Sequence, residues 1–175
     1  MSLRYGARLM PDVVDKISSQ QPDLTYAFIP ITTNNNIGRS SHFDTIAYMG
    51  LSDIRYVAVF LAAVTCGYKV LLPSPRNSAW MNASLLEQTK CFHFLYAPEV
   101  EALVNPLLNE KPGLRIHKVH PIDQFIQPGA EYYPFEKEYE DAKWDPILVL
   151  HSSGSTGPPK PIQMNHATFA VGGDD

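Results

Sequence analysis

The residues best suited to chemistry form one run near the end of the chain: His151-Ser152-Ser153-Gly154-Ser155-Thr156-Gly157-Pro158-Pro159-Lys160-Pro161. Their types make an anion trap. Gly154 and Gly157 permit backbone angles that turn successive amide N–H groups inward, and they lack side chains that would block a close approach. Ser152, Ser153, Ser155 and Thr156 add hydroxyl donors. Lys160 adds one flexible positive charge able to follow a phosphate. Pro158 and Pro159 have no N–H to donate, so they serve to stiffen the arm that carries Lys160.

A Walker-type loop is the obvious competitor, but it needs Gly-Lys-Ser/Thr at the start of a helix. Here Lys160 stands between two prolines, Ile162 to Asn165 reads as a strand, and a helix begins only near His166. Strand, loop, strand is the wrong geometry for Walker chemistry. His151 and His166 flank the run, yet no nucleophile–base–orienter set accompanies them, and both read as structural. His93, His117 and His120 have no ligand spacing and read as strand or turn residues. Arg76 and Asn77 follow a strand end, where open α/β sheets place ligands, and suit a turn equally well.

The elements that must present this loop follow a regular rhythm. Thr45 to Met49 reads as a buried strand. Ser52 and Asp53 suit the cap of a helix through Val64, on which Ile54, Val57, Ala58, Leu61 and Ala62 share a face. Gly67 closes that helix, and Tyr68 to Leu72 reads as the next strand. Helix Ser78–Thr89, strand His93–Tyr96, helix Pro98–Asn109, strand Arg115–Val119 and a short helix from Pro121 to Ile126 continue the alternation. Such spacing suits right-handed crossovers onto a parallel sheet, and helices on both faces explain strands that are apolar throughout. The expected fold is α/β, a mostly parallel sheet flanked by helices.

Upstream, Met10 to Ser19 suits a short amphipathic helix, Leu24 to Ile31 an extended segment, and the Asn- and Ser-rich stretch Thr32 to His42 a loop. Gln127 to Asp145 reads as a surface connection with a helical turn around Glu136 to Lys143, and Ile147 to Leu150 as the fifth strand. Four stretches result: 1–42, the β-α repeats of 43–126, an acidic connection over 127–145, and the loop segment 146–175.

The totals exclude several classes. A hydrophobic fraction of 45% with 18% charged residues reads as globular. Of the 18 acids behind the net charge of −4, six lie between Glu131 and Asp145, and no basic stripe offers itself to nucleic acid. Cys66 and Cys91 sit in apolar segments without metal spacing and read as reduced core thiols. The longest apolar run, Tyr56 to Val64, is nine residues, too short to cross a bilayer, and no secretory signal pattern opens the chain. No membrane and a cytoplasmic address are expected.

The order of strand, Ser/Thr/Gly loop, Pro-Lys and strand resembles the signature phosphate loop of adenylate-forming (AMP-binding) enzymes. These include acyl-CoA synthetases, luciferases and adenylation domains of nonribosomal peptide synthetases. The phrases Phe43 to Gly50, Ala62 to Lys69 and Leu72 to Ser78 are similar to the fungal multidomain group with a terminal reductase. The resemblance implies an incomplete N-terminal subdomain of that family. It also implies that Ser152, Ser153, Gly154, Ser155, Thr156, Gly157 and Lys160 contact the phosphates of ATP, with Mg²⁺ sharing the charge. In such enzymes a substrate carboxylate attacks the α-phosphorus to give acyl-adenylate and pyrophosphate. Pro161 departs from the family's more usual Gly and resembles the reductase-type variant.

Two further expectations follow from the resemblance. Thr32 to His42 replaces what the family builds as a strand and a long helix, an internal deletion that leaves a sheet face uncovered and open to self-association. The family's adenine, ribose and hinge motifs and its catalytic lysine have no counterpart up to Asp175. The chain alone is therefore expected to bind nucleotide weakly and to adenylate slowly or not at all. A non-catalytic interaction protein, or an incomplete gene model, is the alternative.

Overall fold

A computed structural model describes residues 9–11, 40–125, 135–152 and 157–170. Six strands form one sheet: β1 Thr45–Met49, β2 Lys69–Leu71, β3 His93–Tyr96, β4 Arg115–Lys118, β5 Pro146–His151 and β6 Pro161–Asn165. Their order across the sheet is β4-β3-β1-β2-β5-β6. All neighbours run parallel except the final β5–β6 pair. Between the strands lie α1 Arg55–Thr65, α2 Ala79–Gln88, a 3₁₀ turn Pro98–Leu103 leading into α3 Val104–Glu110, α4 Ile122–Phe125 and α5 Tyr139–Ala142; α6 His166–Ala170 follows β6. The α/β expectation is met nearly element for element. Met10 and Pro11 are helical, and the rest of the expected helix, the strand from Leu24 and most of the polar loop from Thr32 fall outside the described residues, as does 126–134.

The core forms where apolar runs meet from both faces. All five residues of β1 are buried, and Val70, Leu71, Phe94, Leu95, Ile147 and Val149 continue the layer. Burying one Leu, Ile or Phe side chain stabilises by about 1.5–3 kcal/mol, so this central layer supplies much of the stability. Large apolar side chains of the strands are exposed at the flanks instead: Leu150 and Ile162, which pair across β5 and β6, and Ile116 on β4.

One expected face is rotated. On α1, Ala58 and Ala62 are buried as expected, but Ile54 and Val57 stand about half exposed, at 49% and 48%. The inward face instead carries Arg55, Val59, Ala62 and Ala63. The cause is Arg55, only 1% exposed, whose guanidinium turns inward to meet Asp53 at 2.7 Å and Glu99 at 2.9 Å. Periodicity counts a guanidinium as polar and points it to water; two carboxylates reverse that choice. The N-cap position falls on Ile54, without a side-chain cap, and the expected capping residue Asp53 instead accepts the Arg55 N–H on Oδ1 at 2.9 Å.

Gly67 ends α1 with φ +80°, and a Cβ there would stand 2.3 Å from the Ser40 carbonyl oxygen. Only glycine meets both demands. Ser78 caps α2 by accepting the Met81 N–H at 3.3 Å. Both cysteines are buried and neither is in a disulfide, and burial pushes the Cys91 thiol up to about 12.

Candidate functional site

The ladder between β5 and β6 ends at His151 opposite Pro161, so the chain leaves the carboxyl end of β5 at Ser152 and returns at Lys160. The base of this connection is closed twice. The Ser152 N–H donates to the Lys160 carbonyl at 3.1 Å, and the Lys160 N–H donates to Ser152 Oγ at 3.0 Å. The hydroxyl that accepts from Lys160 keeps its own O–H for another acceptor. A third tie comes from outside the hairpin: Gln88 Nε2, in the last turn of α2, donates to the Pro159 carbonyl at 3.2 Å. Pro159 is buried, while Ser152, Gly157, Pro158 and Lys160 are exposed. The stiff arm read from Pro158 and Pro159 is thus a buried anchor bearing an exposed cation.

Of the seven residues expected to contact phosphate, Ser152, Gly157 and Lys160 are described, and they stand at the two ends of the turn. Gly157 has φ +151° and open space where a Cβ would stand. No ion pair among the described residues engages the Lys160 ammonium. Ser153, Gly154, Ser155 and Thr156 lie outside the described residues. Gln88 is the residue that pattern reading missed. Its signal was weak, a polar side chain at the end of a half-buried helix, and only the fold brings it 71 positions along the chain to Pro159.

Neighbouring connections converge on the same end of the sheet. The register Leu71 to Val149 sets the segment after β2 beside the end of β5. That segment is braced by Asn82, whose Nδ2 donates to the Ser74 carbonyl at 3.1 Å and whose Oδ1 accepts from Asn77 Nδ2 at 3.0 Å. Asn77 therefore has the turn role, and Arg76 is left exposed beside it. His151 donates Nδ1–H to the Ser152 carbonyl at 2.9 Å, a structural contact as expected.

His166 lies elsewhere. It lines a cavity of about 380 Å³ at the amino ends of β2 and β5, with Phe43, Tyr68, Phe135, Lys137 and Asp145. It is 3% exposed, its Nδ1 has no hydrogen-bond partner among the described residues, and burial lowers its pKa. Among the described residues no cluster of three or more His, Cys, Asp or Glu could hold a metal, and no helix is long and apolar enough to cross a membrane.

Comparison with solved structures places this architecture in a known class. VinN superposes with a TM-score of 0.71 over 98% of this chain and 46% of its own, at 17% identity. A long-chain-fatty-acid-CoA ligase from Archaeoglobus fulgidus gives 0.71 over 97% of this chain and 39% of its own, at 16% identity. The N-terminal subdomain of Klebsiella oxytoca NpsA gives 0.64 at 20% identity, over 91% and 41%. At such identities the likeness establishes the fold, that of the N-terminal portion of acyl-CoA synthetases and adenylation domains.

Sequence relatives narrow the class, although no family model matches the chain. A carboxylic acid reductase of Neurospora crassa is 34% identical over 194 aligned positions, covering 95% of this chain and 18% of the relative. An isocyanide synthase–NRPS hybrid of Aspergillus fumigatus is 30% identical over 198 positions, covering 97% and 13%. The chain belongs to the adenylate-forming family, among its fungal reductase-type, NRPS-like members. It spans less than a fifth of the length of these relatives. Both alignments are longer than the chain's 175 residues, so each relative carries residues with no counterpart here.

Proposed function

We propose that this chain is part of an enzyme that activates a carboxylic acid with ATP, and that the turn 152–160 grips the nucleotide phosphates. The observation that carries the reading is the closed base of that turn. Ser152 and Lys160 are locked to each other through two backbone-donated bonds, leaving one hydroxyl and one unpaired ammonium exposed on the same rim. The amides and hydroxyls of Ser153, Gly154, Ser155, Thr156 and Gly157 complete the proposed phosphate set. The residues present fit ATP with Mg²⁺ in charge and type. Lacking a carboxylate cluster among the described residues, Mg²⁺ would ride chiefly on the phosphates, where it neutralises developing charge.

Lys160 would orient the phosphates as the carboxylate attacks the α-phosphorus and pyrophosphate departs. We infer that the 175 residues alone bind nucleotide weakly and adenylate slowly, because phosphate contacts fix only one part of a nucleotide. The test is thermal. Millimolar ATP or pyrophosphate is expected to raise Tm, as ligand binding to the folded state must, and Lys160→Ala should abolish the rise. No shift with wild-type protein would overturn the reading.

The second reading, an interaction protein, rests on exposed apolar surface at one flank: Trp144 at 70% exposure, with Leu150 and Ile162. It predicts a defined oligomer insensitive to Lys160→Ala, and a clean monomer on sizing would remove it. The excess length of the relatives in both alignments supports an internal deletion, which we place at Thr32 to His42. Coding sequence around those codons that continues the family pattern in another frame would mark the deletion as a gene-model error. A cytoplasmic location remains our expectation for a protein of this composition.

A further inference from the structure

His93 and His117 are 24 positions apart, yet β3 and β4 bring their rings together. His93 Nδ1 and His117 Nε2 stand 3.0 Å apart, with ring centres 5.3 Å apart and planes inclined by 14°. Once each nitrogen's offset from its own ring centre is counted, the nitrogen–nitrogen gap accounts for nearly the whole centre-to-centre distance. The rings therefore meet head-on. This is the geometry of an N–H···N bond, where one ring donates and the other's lone pair accepts, and not of two lone pairs converging on a cation.

We propose that this pair is a proton-counting latch on the outer strand β4, fastened while at least one of the two facing nitrogens is bare and released when both carry a proton. The neutral pair holds one hydrogen between the rings. A first added proton goes to an outward nitrogen and strengthens the bond by charging its donor. A second leaves no acceptor: the bond is replaced by two facing imidazolium ions. Arg115 stands opposite His93 in the β3–β4 register and makes a third cation in the row. Asp44, leading into β1, is the opposing carboxylate that favours charge on His93. Cys91 adds no charge, because its thiol is held protonated by burial and donates to the His93 carbonyl at 3.3 Å.

The strand carrying this latch has little else to fasten it. Among the described residues β4 pairs only with β3, and Arg115, Ile116 and Lys118 are exposed. Buried Leu114 and Val119 flank it, and Lys118 reaches Glu101 at 2.7 Å. Burial and the neighbouring positive groups lower the pKa of both rings. The sign follows: the unfolded strand, with ordinary imidazoles near about 6.5, binds protons more readily than the folded one. The first proton leaves the latch closed, and closure is lost as pH falls through the lower folded midpoint, where the second proton binds.

The test reads β4 locally, so that buried His166 at the far side of the sheet does not confuse it. Amide protection of residues 116–118, corrected for intrinsic exchange and referred to β1, should fall by about tenfold between pH 7.5 and 5, the effect of losing one hydrogen bond. His93→Asn and His117→Gln each keep an amide able to bond the remaining ring but cannot titrate, and most of that fall should disappear. In the wild-type protein, the two imidazoles followed by NMR should titrate at separated midpoints, the lower one below the ordinary histidine range. Variant profiles that superimpose on wild type would overturn the latch. So would two rings titrating independently at ordinary values, a result that stands even if a variant fails to fold.

Discussion

At the carboxyl ends of the strands, connections are joined by side-chain charge and polar side chains. Arg55 on α1 reaches Asp53 and Glu99 across the ends of β1 and β3, Gln88 holds Pro159, and Lys160 has no ion-pair partner among the described residues. At the amino ends backbone groups take a larger share of the joins, beside the Lys137–Asp145 ion pair at 2.6 Å. The Ser40 N–H donates to the Cys66 carbonyl at 3.0 Å and the Lys69 N–H to the Asp44 carbonyl at 3.1 Å, while Thr45 Oγ1 donates to the Thr89 carbonyl at 2.9 Å. The difference separates two kinds of dependence. The amino end depends on shape, which a single Cβ can spoil. The carboxyl end depends more on charge, which can be tuned residue by residue and by pH.

The hardest blow should come from Gly67→Val. It asks a β-branched residue to adopt φ +80° and sets its Cβ against the Ser40 carbonyl. A loss of about 3–4 kcal/mol by urea unfolding is expected; a loss below about 1 kcal/mol would mean that the amino end is not governed by shape.

Arg55→Ala should cost about 3 kcal/mol, because it leaves two carboxylates facing a desolvated pocket. Arg55, mainly through its hydrogen bonds, holds the Asp53 carboxyl below its usual range. That contribution is present above about pH 3.9 and is lost as pH falls through the lower folded midpoint. The acid limb of the stability curve below about pH 4 should therefore flatten in the variant. An unchanged limb would show that the carboxyl end is not held by this charge cluster.

Gln88→Ala removes one tie to the hairpin and should cost about 1 kcal/mol, with a smaller ATP-induced rise in Tm; an unchanged rise would mean that the arm does not position Lys160. Lys160→Ala should move the urea midpoint least, by under about 0.5 kcal/mol, while removing the nucleotide response. A large loss of stability there would place Lys160 among the structural charges instead.

Pattern reading located the strands well because their apolar runs are bounded by strong punctuation. Pro73, Pro75 and Pro98, with glycines at 50, 67 and 113, leave few other places for an element to begin or end. It also placed the Ser152 to Lys160 connection between two strands, as the β5–β6 pairing has it. It erred where one charged side chain is buried. Arg55 rotates α1, and periodicity cannot anticipate a guanidinium that finds carboxylates at both Asp53 and Glu99.

Residue order was enough to specify alternating elements, the ends of most of them, and a connection from Ser152 to Lys160 between two strands, because propensity, capping and glycine conformations act over a few neighbouring residues. The order of strands across the sheet, the meeting of His93 with His117 and of Gln88 with Pro159, and the inward turn of Arg55 were settled by folding. Each joins groups distant along the chain, and their energies exist only once the sheet's register and helix packing bring the partners within hydrogen-bond reach.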